Sequence, residues 1–259
     1  MAIDYSGQVA IVTGAASGFG RELVTRMAKQ QARGIILVDI QEHAGQTVEK
    51  ELNAIRQGCA KFIRADVASP KDMKHVFATA KSLYGSINIV VPNAGITEAM
   101  PMEDDDDDKW IKVVDIDLTG VVLATRLALS EWKKSGMGGV IVPTASLAGL
   151  YPQAGSPVYC AAKAGVVMLV RSLEGLKTQG IRVNAVCPSF SPTPLLSSNP
   201  RKDSNGQIPK FVQDRIVPIS LVVDAFEKAI KDESLAGAII RITPEFGIDL
   251  YKQRKQAKI

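Results

Sequence analysis

The sequence predicts an α/β protein in which a doubly wound parallel sheet of about seven strands carries helices on both faces. Short runs rich in Val and Ile alternate with longer amphipathic segments along the chain. Most runs do not alternate between apolar and polar residues, which is typical of strands covered on both faces. Strands interleaved with helices indicate parallel pairing through right-handed crossovers. Because there is no internal repeat or low-complexity linker, we expect residues 1–259 to form one domain.

Each predicted element is bounded by a change between these two patterns. The strands are expected at residues 8–14, 34–40, 60–66, 87–95, 138–146, 181–188 and 237–243. The helices are expected at residues 18–32, 41–57, 70–84, 107–135, 157–179 and 220–233. A chain of 259 residues with 46% hydrophobic residues can bury the single large core that this arrangement requires.

Composition and charge exclude several functional classes. The net charge is +4 with both signs interspersed, so we expect no nucleic-acid partner, and the basic residues at 251–259 indicate a solvated tail. The three cysteines are scattered, without the spacing of metal ligands or of a disulfide framework. Only two histidines are present, so a zinc site or a Ser-His-Asp triad lacks parts, and we expect no metal.

The N-terminus and the length of the apolar runs predict a cytoplasmic protein. Residues 1–14 enter a strand pattern at once, without the basic and apolar regions of a signal peptide. Membrane insertion is not expected, because no apolar run approaches the ~18 residues needed to span a bilayer.

Two segments depart from the alternating pattern. Residues 189–219 are long, rich in Pro and Ser, and weakly periodic, which predicts a substrate-binding loop or lid, or else an insertion without a role. Residues 103–108 are all acidic and precede a helix that begins near Lys109. We interpret them as a solvated run from which one Asp caps the helix. A metal site is the alternative, but no glycine turn shapes the run.

A glycine-rich turn follows the first predicted strand and opens the first helix. The segment Thr13–Gly20, TGAASGFG, places its glycines at positions 14, 18 and 20. Such glycines let the backbone approach a pyrophosphate, and the helix N-terminus behind them offers unpaired N–H groups. The turn predicts a Rossmann-like dinucleotide site, although an ordinary tight turn has a similar composition.

Acidic and amide residues at the ends of the next strands support a dinucleotide. Asp39 lies 19 residues after Gly20, where a carboxylate accepts from ribose hydroxyls and repels a 2′-phosphate. The absence of Arg from the turn and the Ile40 that follows Asp39 favour NAD over NADP; a helix cap is the alternative role of Asp39. Asp66 and Asn93 end the third and fourth strands, where they could contact adenine and adenosine or serve as turn residues.

Tyr159 and Lys163 lie four residues apart, on one face of a predicted helix. A phenol with a reference pKa near 10 is a poor base at neutral pH, but an adjacent ammonium stabilises the phenolate. Ser146 ends the fifth strand and could donate to a developing oxyanion. This group could move a proton on oxygen while hydride moves on carbon. In isolation, however, such a pair is more often a core Tyr and a Lys whose ammonium reaches water.

Together, these motifs resemble the short-chain dehydrogenase/reductase family. The resemblance is carried, in order over about residues 7–250, by Thr13–Gly20, Asp39, Asp66, Asn93-Ala94-Gly95, Ser146, Tyr159 with Lys163, and the segment RVNAVCPSF. It implies that Tyr159 is the general acid/base, that Lys163 holds the nicotinamide ribose and lowers the Tyr159 pKa, and that Ser146 positions the substrate oxygen. The implied cofactor contacts are Gly14, Ser17, Gly18, Phe19, Gly20, Asp39, Ile40, Asp66, Val67, Asn93, Tyr159, Lys163, Phe190 and Thr193. The implied substrate contacts are Ser146, Ser156 and Tyr159.

Three positions depart from the family pattern. Asp117 stands where the family usually has Asn, at a position associated with a water leading from the Lys towards solvent, so we count it among the catalytic residues. If the relay uses the backbone carbonyl there, the change is tolerable; if it uses the side-chain amide, the relay should slow. A negative Asp117 near Lys163 could also raise the pKa of Lys163. Pro92 replaces the commoner Asn before Asn93, and Ser189 replaces the usual Gly after Pro188.

The function favoured by these residues is NAD-dependent oxidation of a secondary alcohol. A hydrophobic substrate, such as a hydroxylated fatty acid or eicosanoid-like chain, suits the apolar and basic candidates of the 189–219 loop. These are Phe190, Leu195, Leu196 and Phe211, with Arg201, Lys202 and Lys210 as possible partners of a carboxylate. A catalytically weak dinucleotide-binding regulatory protein and a carbonyl reductase are the alternatives. By analogy with the family, we expect a homodimer, or a tetramer, formed through the helices at 107–135 and 157–179.

Overall fold

The computed structural model describes residues 5–98, 100, 102–105, 107–197 and 208–252. Its strands are β1 (Val9–Thr13), β2 (Gly34–Asp39), β3 (Ala60–Arg64), β4 (Ile89–Val91), β5 (Gly139–Ile141), β6 (Ile181–Val183), β7 (Ala185–Pro188), β8 (Ile239–Thr243) and β9 (Gly247–Leu250). Its helices are α1 (Gly18–Lys29), α2 (Glu42–Ile55), α3 (Pro70–Tyr84), α4 (Trp110–Val114), α5 (Gly120–Ser135), α6 (Pro157–Ser172), α7 (Pro194–Ser197), α8 (Lys210–Gln213) and α9 (Ile219–Lys231). Among these residues, no helix combines the length and apolar character needed to cross a bilayer.

The order of the strands reverses at β1. Six strands pair in parallel in the order β3-β2-β1-β4-β5-β6. Because β2 lies on one side of β1 and β4 on the other, a crevice opens at the carboxyl ends of β1 and β4. A second sheet contains the parallel pair β7 and β8 and the antiparallel strand β9. Only Asn184 separates β6 from β7, and a bridge joins Thr144 to Val186, so the second sheet continues the first.

Two apolar cores cover the two faces of the sheet. The first packs α1, α2 and α9 against one face, and the second packs α3, α5 and α6 against the other. β1 sends Val12 to the first core and Ile11 to the second, which explains why its sequence does not alternate in polarity. Phe226 and Trp132 are the largest fully buried aromatic side chains of the two helical layers, and the Trp132 indole N–H donates to the Ile87 carbonyl at 2.7 Å.

Local chemistry sets the ends of the helices. α3 begins after Ser69, whose hydroxyl accepts the Asp72 N–H at 3.2 Å, and it ends at Gly85 in the left-handed region with φ of +76°. In the acidic run, the Asp105 carboxylate accepts the N–H groups of Lys109 at 3.0 Å and Trp110 at 2.7 Å. This confirms that one Asp of the run caps the following helix.

The structure differs from the predicted elements in several places. Helices α7 and α8 lie within the predicted loop 189–219, and the predicted helix 157–179 ends at Ser172 and is followed by a 3-10 helix at Glu174–Gln179. The predicted strand 181–188 divides at Asn184, whose side-chain amide donates to the Ala229 and Leu235 carbonyls. Strand β9 is not predicted, because four residues after a turn give too short a pattern. The predicted helix 107–135 consists of α4, a π-helical turn at Asp115–Thr119, and α5. Such π-helical turns frequently mark functional positions, and this one carries Asp117.

Candidate active site

Three strand ends are joined at the carboxyl edge of the sheet by Asn93. Its amide donates to the Thr13 carbonyl at 2.9 Å, and its amide oxygen accepts from the Thr144 hydroxyl at 2.9 Å. The Thr13 hydroxyl in turn accepts the N–H groups of Asn93 at 2.8 Å and Ala94 at 2.9 Å. Asn93 therefore fixes the ends of β1, β4 and β5 relative to one another, a role that the sequence reasoning did not assign to it.

The glycine-rich turn leaves no room for side chains at two positions. Gly14 has φ of +64°, and a Cβ on Gly20 would lie only 2.2 Å from the Gly14 carbonyl oxygen. α1 starts directly behind the turn, and its N-cap residue Ser17 makes no side-chain capping bond. Because the first-turn N–H groups of a helix have no intrahelical acceptor, they can bind an anionic group.

Further residues predicted to contact the cofactor lie around this turn and at the carboxyl ends of β2 and β3. Asp39 accepts the Ala16 N–H at 3.0 Å and the Gln41 N–H at 3.0 Å, so its carboxylate ties the turn to β2. Ile40 is 64% exposed beside it. Four other residues predicted to contact the cofactor lie near the turn or after β3. Asp66 is exposed, Val67 is buried, Phe19 packs on the core, and Thr193 lies beside Gly18.

Ser146, Tyr159 and Lys163 converge on the same edge of the sheet. Ser146 lies beyond β5, where its hydroxyl accepts the Ala148 N–H at 3.1 Å, and its side chain is among the groups that lower the pKa of Tyr159. The Lys163 Nζ lies 5.5 Å from the centroid of the Tyr159 ring. The predicted placement of the phenol and the ammonium on one face of a helix is therefore confirmed by α6.

Lys163 is buried and held from two sides. Its ammonium donates to the Thr144 carbonyl at 3.0 Å and forms an ion pair with Asp117 Oδ1 at 2.8 Å. Asp117 is fully buried, and its Oδ2 accepts the Ile96 N–H at 2.9 Å. Gly95 lies against this pair, and a Cβ there would be 2.7 Å from Asp117 Oδ1. The Asp that replaces the family's usual Asn thus contacts Lys163 directly.

Burial and charge act in opposite directions on these three groups. Burial raises the pKa of Tyr159 above its usual range; the Lys163 charge lowers it, the Asp117 charge raises it, and the Ser146 hydrogen bond lowers it. Burial lowers the pKa of Lys163, but the charges of Asp117 and Tyr159 raise it by more. The net shift of the Lys163 pKa is upward, so the ammonium stays protonated. Burial raises the pKa of Asp117 against the opposing effects of Lys163 and the Ile96 N–H. A phenolate at Tyr159 therefore needs an additional positive charge.

Glu98 is a residue of this site that the sequence reasoning missed. It is only 6% exposed, and its carboxylate accepts the N–H groups of Val158 at 3.3 Å and Tyr159 at 3.0 Å. Glu98 is about 60 positions from Val158 and Tyr159 in the sequence, and it binds their backbone rather than their side chains. A pattern of residue types therefore cannot predict this contact. Ser156, a predicted substrate contact, is buried at the N-cap of α6.

The first residues of the 189–219 segment are hydrogen-bonded to its last residues. The Val217 N–H donates to the Phe190 carbonyl at 2.8 Å, and the Ser191 hydroxyl donates to the Val217 carbonyl at 2.9 Å. The Phe190 and Phe211 rings meet edge to face with centroids 6.5 Å apart. Arg201 and Lys202, proposed as partners of a carboxylate, lie outside the described residues.

Comparisons with known proteins show which proteins this chain resembles. Residues 8–204 match the profile of a family described as short chain dehydrogenase. The chain is 34% identical to 15-hydroxyprostaglandin dehydrogenase (NAD(+)) of Homo sapiens over 257 residues, covering 94% of this chain and 93% of that protein. It is 36% identical to cis-4-hydroxycyclohexanecarboxylate dehydrogenase of Sinomonas cyclohexanicum over 198 residues, covering 76% of this chain and 78% of that protein. The crystal structure of 3-ketoacyl-(acyl-carrier-protein) reductase from Brucella melitensis, complexed with NADH, has a TM-score of 0.81 and 26% identity, covering 92% of this chain and 97% of that one.

Proposed function

Because the chain belongs to the short-chain dehydrogenase family and is an oxidoreductase, we propose that it oxidises a secondary alcohol to a ketone, reversibly, with NAD. One observation carries the proposal. The Lys163 ammonium lies 5.5 Å from the centroid of the Tyr159 ring, and both Lys163 and Ser146 lower the pKa of the Tyr159 phenol, at the strand ends that border the glycine turn. This is the arrangement needed to take a proton from a hydroxyl beside a bound dinucleotide.

The cleft fits NAD on the chemistry of its residues. The glycine turn and the N-terminus of α1 suit a pyrophosphate, and the buried Asp39 suits a ribose whose 2′-hydroxyl is free. The remaining donor of the Lys163 ammonium, whose other contacts are Thr144 and Asp117, is available to the second ribose. When bound, NAD supplies the acceptor for hydride and a cationic ring close to the phenol.

In the proposed mechanism, Tyr159 is the general base of the oxidation. Its phenolate takes the proton of the substrate hydroxyl, and Ser146 holds the same oxygen by a hydrogen bond as charge develops there. Lys163 stabilises the phenolate and orients the ribose, and Asp117 holds Lys163 from the opposite side. In the reverse direction, Tyr159 returns the proton to the ketone oxygen.

We further propose that the substrate is hydrophobic, and the described residues of the 189–219 segment support this. Phe190 and Phe211 pack edge to face, and Phe211 remains 55% exposed, so the pair presents apolar surface. Leu195 and Leu196 lie on the adjoining α7. Two relatives are named 15-hydroxyprostaglandin dehydrogenase and cis-4-hydroxycyclohexanecarboxylate dehydrogenase, so hydroxylated compounds are their substrates by name. Lys210 is a described candidate for binding a carboxylate. We extend the proposal to a cytoplasmic homodimer that uses the 189–219 segment as its substrate loop.

The test is a panel of secondary alcohols offered with NAD, followed by the absorbance of the reduced cofactor. The proposal expects turnover of at least one hydrophobic member in the wild type and none in Tyr159→Phe. Tight NAD binding without turnover of any alcohol would support the regulatory alternative. Faster reduction of ketones than oxidation of alcohols at neutral pH would support a reductase, the activity named for the Brucella melitensis relative.

A further inference from the structure

The N-terminus of α6 receives its cap from a distant carboxylate. Pro157 is the first residue of the helix and has no N–H, and the Ser156 side chain makes no capping hydrogen bond. The next two N–H groups, of Val158 and Tyr159, have no acceptor within the helix and point at Glu98 instead. Ordinary caps come from the residue that precedes the helix, so this one joins two separate segments of the site.

We propose that Glu98 is a positioning residue, which fixes the first turn of α6 and thereby the location of the Tyr159 phenol; this inference rests on the function proposed above. Hydrogen bonds from N–H groups to a carboxylate are stronger than those to a neutral acceptor, and Glu98 accepts two of them while buried. Its negative charge also meets the positive end of the helix dipole. The Tyr159 N–H is one of its two donors, so the constraint acts on the residue that carries the base.

The same short segment also fixes Lys163. Two residues before Glu98, the Ile96 N–H donates to Asp117 Oδ2, and Asp117 Oδ1 holds the Lys163 ammonium. Through these contacts, the segment Ile96–Glu98 fixes the positions of both Tyr159 and Lys163 relative to the end of β4. A displacement of about 1 Å in such a constellation can cost on the order of 100-fold in rate.

The experiment compares Glu98→Ala, which removes both acceptors, with Glu98→Gln, which keeps one. Ser69→Ala is the matched control, because it removes the N-cap of another helix, α3, and its kcat should be unchanged at saturating NAD. For Glu98→Ala we expect kcat to fall about tenfold or more, with the Kd for NAD within about twofold of wild type. For Glu98→Gln we expect a kcat much closer to that of the wild type than to that of Glu98→Ala.

Amide hydrogen exchange supplies a readout that does not depend on activity. In the wild type, the Val158 and Tyr159 amides should be protected, and Glu98→Ala should accelerate their exchange by at least roughly tenfold relative to the middle of α6. Equal exchange in the two proteins would overturn the inference. So would an unchanged kcat in Glu98→Ala, or equal losses in the Ala and Gln variants. Protected amides in a wild type that oxidises no alcohol would instead refute the proposed function and leave the Glu98 contact standing.

Discussion

The Asp117 carboxylate and the Lys163 ammonium form a buried ion pair at 2.8 Å, and their side chains are 0% and 3% exposed. Asp117 Oδ1 has no hydrogen-bond partner among the described residues apart from this ion pair. A negative charge held this close to Lys163 reduces the electrostatic help that the ammonium gives to a phenolate at Tyr159. The pair therefore makes the pH dependence of the reaction a direct test of the site.

Replacing Asp117 by Asn should move the pH profile of alcohol oxidation to lower pH. The Asp117 charge raises the pKa of both Tyr159 and Lys163, so its removal lowers both. The oxidation requires the phenolate, and its acidic limb should then appear at lower pH; the alkaline limb, where Lys163 loses its proton, should follow. The measurement is kcat/KM against pH with saturating NAD, and the Kd for NAD should change little.

Asp115→Asn is the matched control for this variant. It removes a carboxylate from the same π-helical turn without touching Lys163, so its profile should coincide with that of the wild type. Coincident profiles for Asp117→Asn and the wild type would place the Asp117 side chain outside the proton relay.

Removing the Tyr159 hydroxyl should abolish turnover and leave cofactor binding intact. Tyr159→Phe loses only the oxygen that exchanges the proton, which corresponds to roughly 10²–10⁴-fold in rate for a general base. Tyr151→Phe serves as a control, because within the described part of the chain the Tyr151 oxygen makes one hydrogen bond, in which it accepts from Arg241 Nη1 at 2.7 Å. Activity and NAD affinity should be measured on both, and a fully active Tyr159→Phe would contradict the mechanism.

A methyl group at Gly95 should disrupt the ion pair. The added Cβ would lie 2.7 Å from Asp117 Oδ1 and 3.5 Å from Lys163 Nζ. Overpacking of this kind costs about 1–3 kcal/mol, and activity should fall with stability because the displaced groups belong to the site. Gly175→Ala is the control, since nothing lies within 4 Å of its Cβ. The Gly95→Ala variant should therefore have a lower melting temperature and a lower turnover than Gly175→Ala. Equal values for the two variants would mean that the chain around Gly95 accommodates the methyl group without loss of stability.

Removing the charge of Asp39 should weaken discrimination against NADP. Asp39→Asn keeps an acceptor for an N–H of the turn but no longer repels a 2′-phosphate. We expect the ratio of the NADP and NAD dissociation constants to fall by about tenfold, or ~1.4 kcal/mol. Isothermal titration measures both constants, and tighter binding of NADP than of NAD by the wild type would refute the cofactor assignment outright.

Replacing Met168 by Glu should separate the subunits of the expected homodimer. Met168 on α6 is 56% exposed, and Val122 on α5 and Trp110 on α4 are 41% and 38% exposed, so these helices present apolar side chains to the surface. A buried carboxylate without a partner would oppose association through this face. Light scattering should show the wild type as a dimer and Met168→Glu as a monomer. Leu83→Glu, at an exposed position of α3, should leave the mass unchanged.

The parts of the site that were predicted correctly depend on local spacing. Tyr159 and Lys163 had to share a face once α6 formed, since residues four apart are neighbours on a helix. The strand ends carry Asp39 and Asn93 because parallel strands leave their carboxyl ends at one edge. These relations require only the periodicity of the elements, which the apolar runs reveal.

The parts that escaped prediction depend on contacts between distant segments. Glu98 meets backbone groups of α6, and backbone groups have no sequence signature. The effect of a negative Asp117 on Lys163 was predicted from the family resemblance and is confirmed by their ion pair. The π-helical turn that carries Asp117 was not predicted, because the apolar pattern of residues 107–135 does not distinguish it from an ordinary helix. Asn93 was predicted either to contact adenosine or to serve as a turn residue, and its hydrogen bonds to Thr13 and Thr144, which join distant segments, were not predicted. The adenosine contact stays a prediction.

Strand β9 has a consequence for the behaviour of the protein at high concentration. Without it, β8 would present a row of unpaired peptide groups, which invites the sheets of two molecules to join edge to edge. β9 pairs with β8 from Thr243 to Ile240 and transfers the open edge to a four-residue strand that carries Asp249, held by Arg241. Because short, charged edge strands pair poorly with other sheets, we expect the C-terminal hairpin to disfavour aggregation through this sheet.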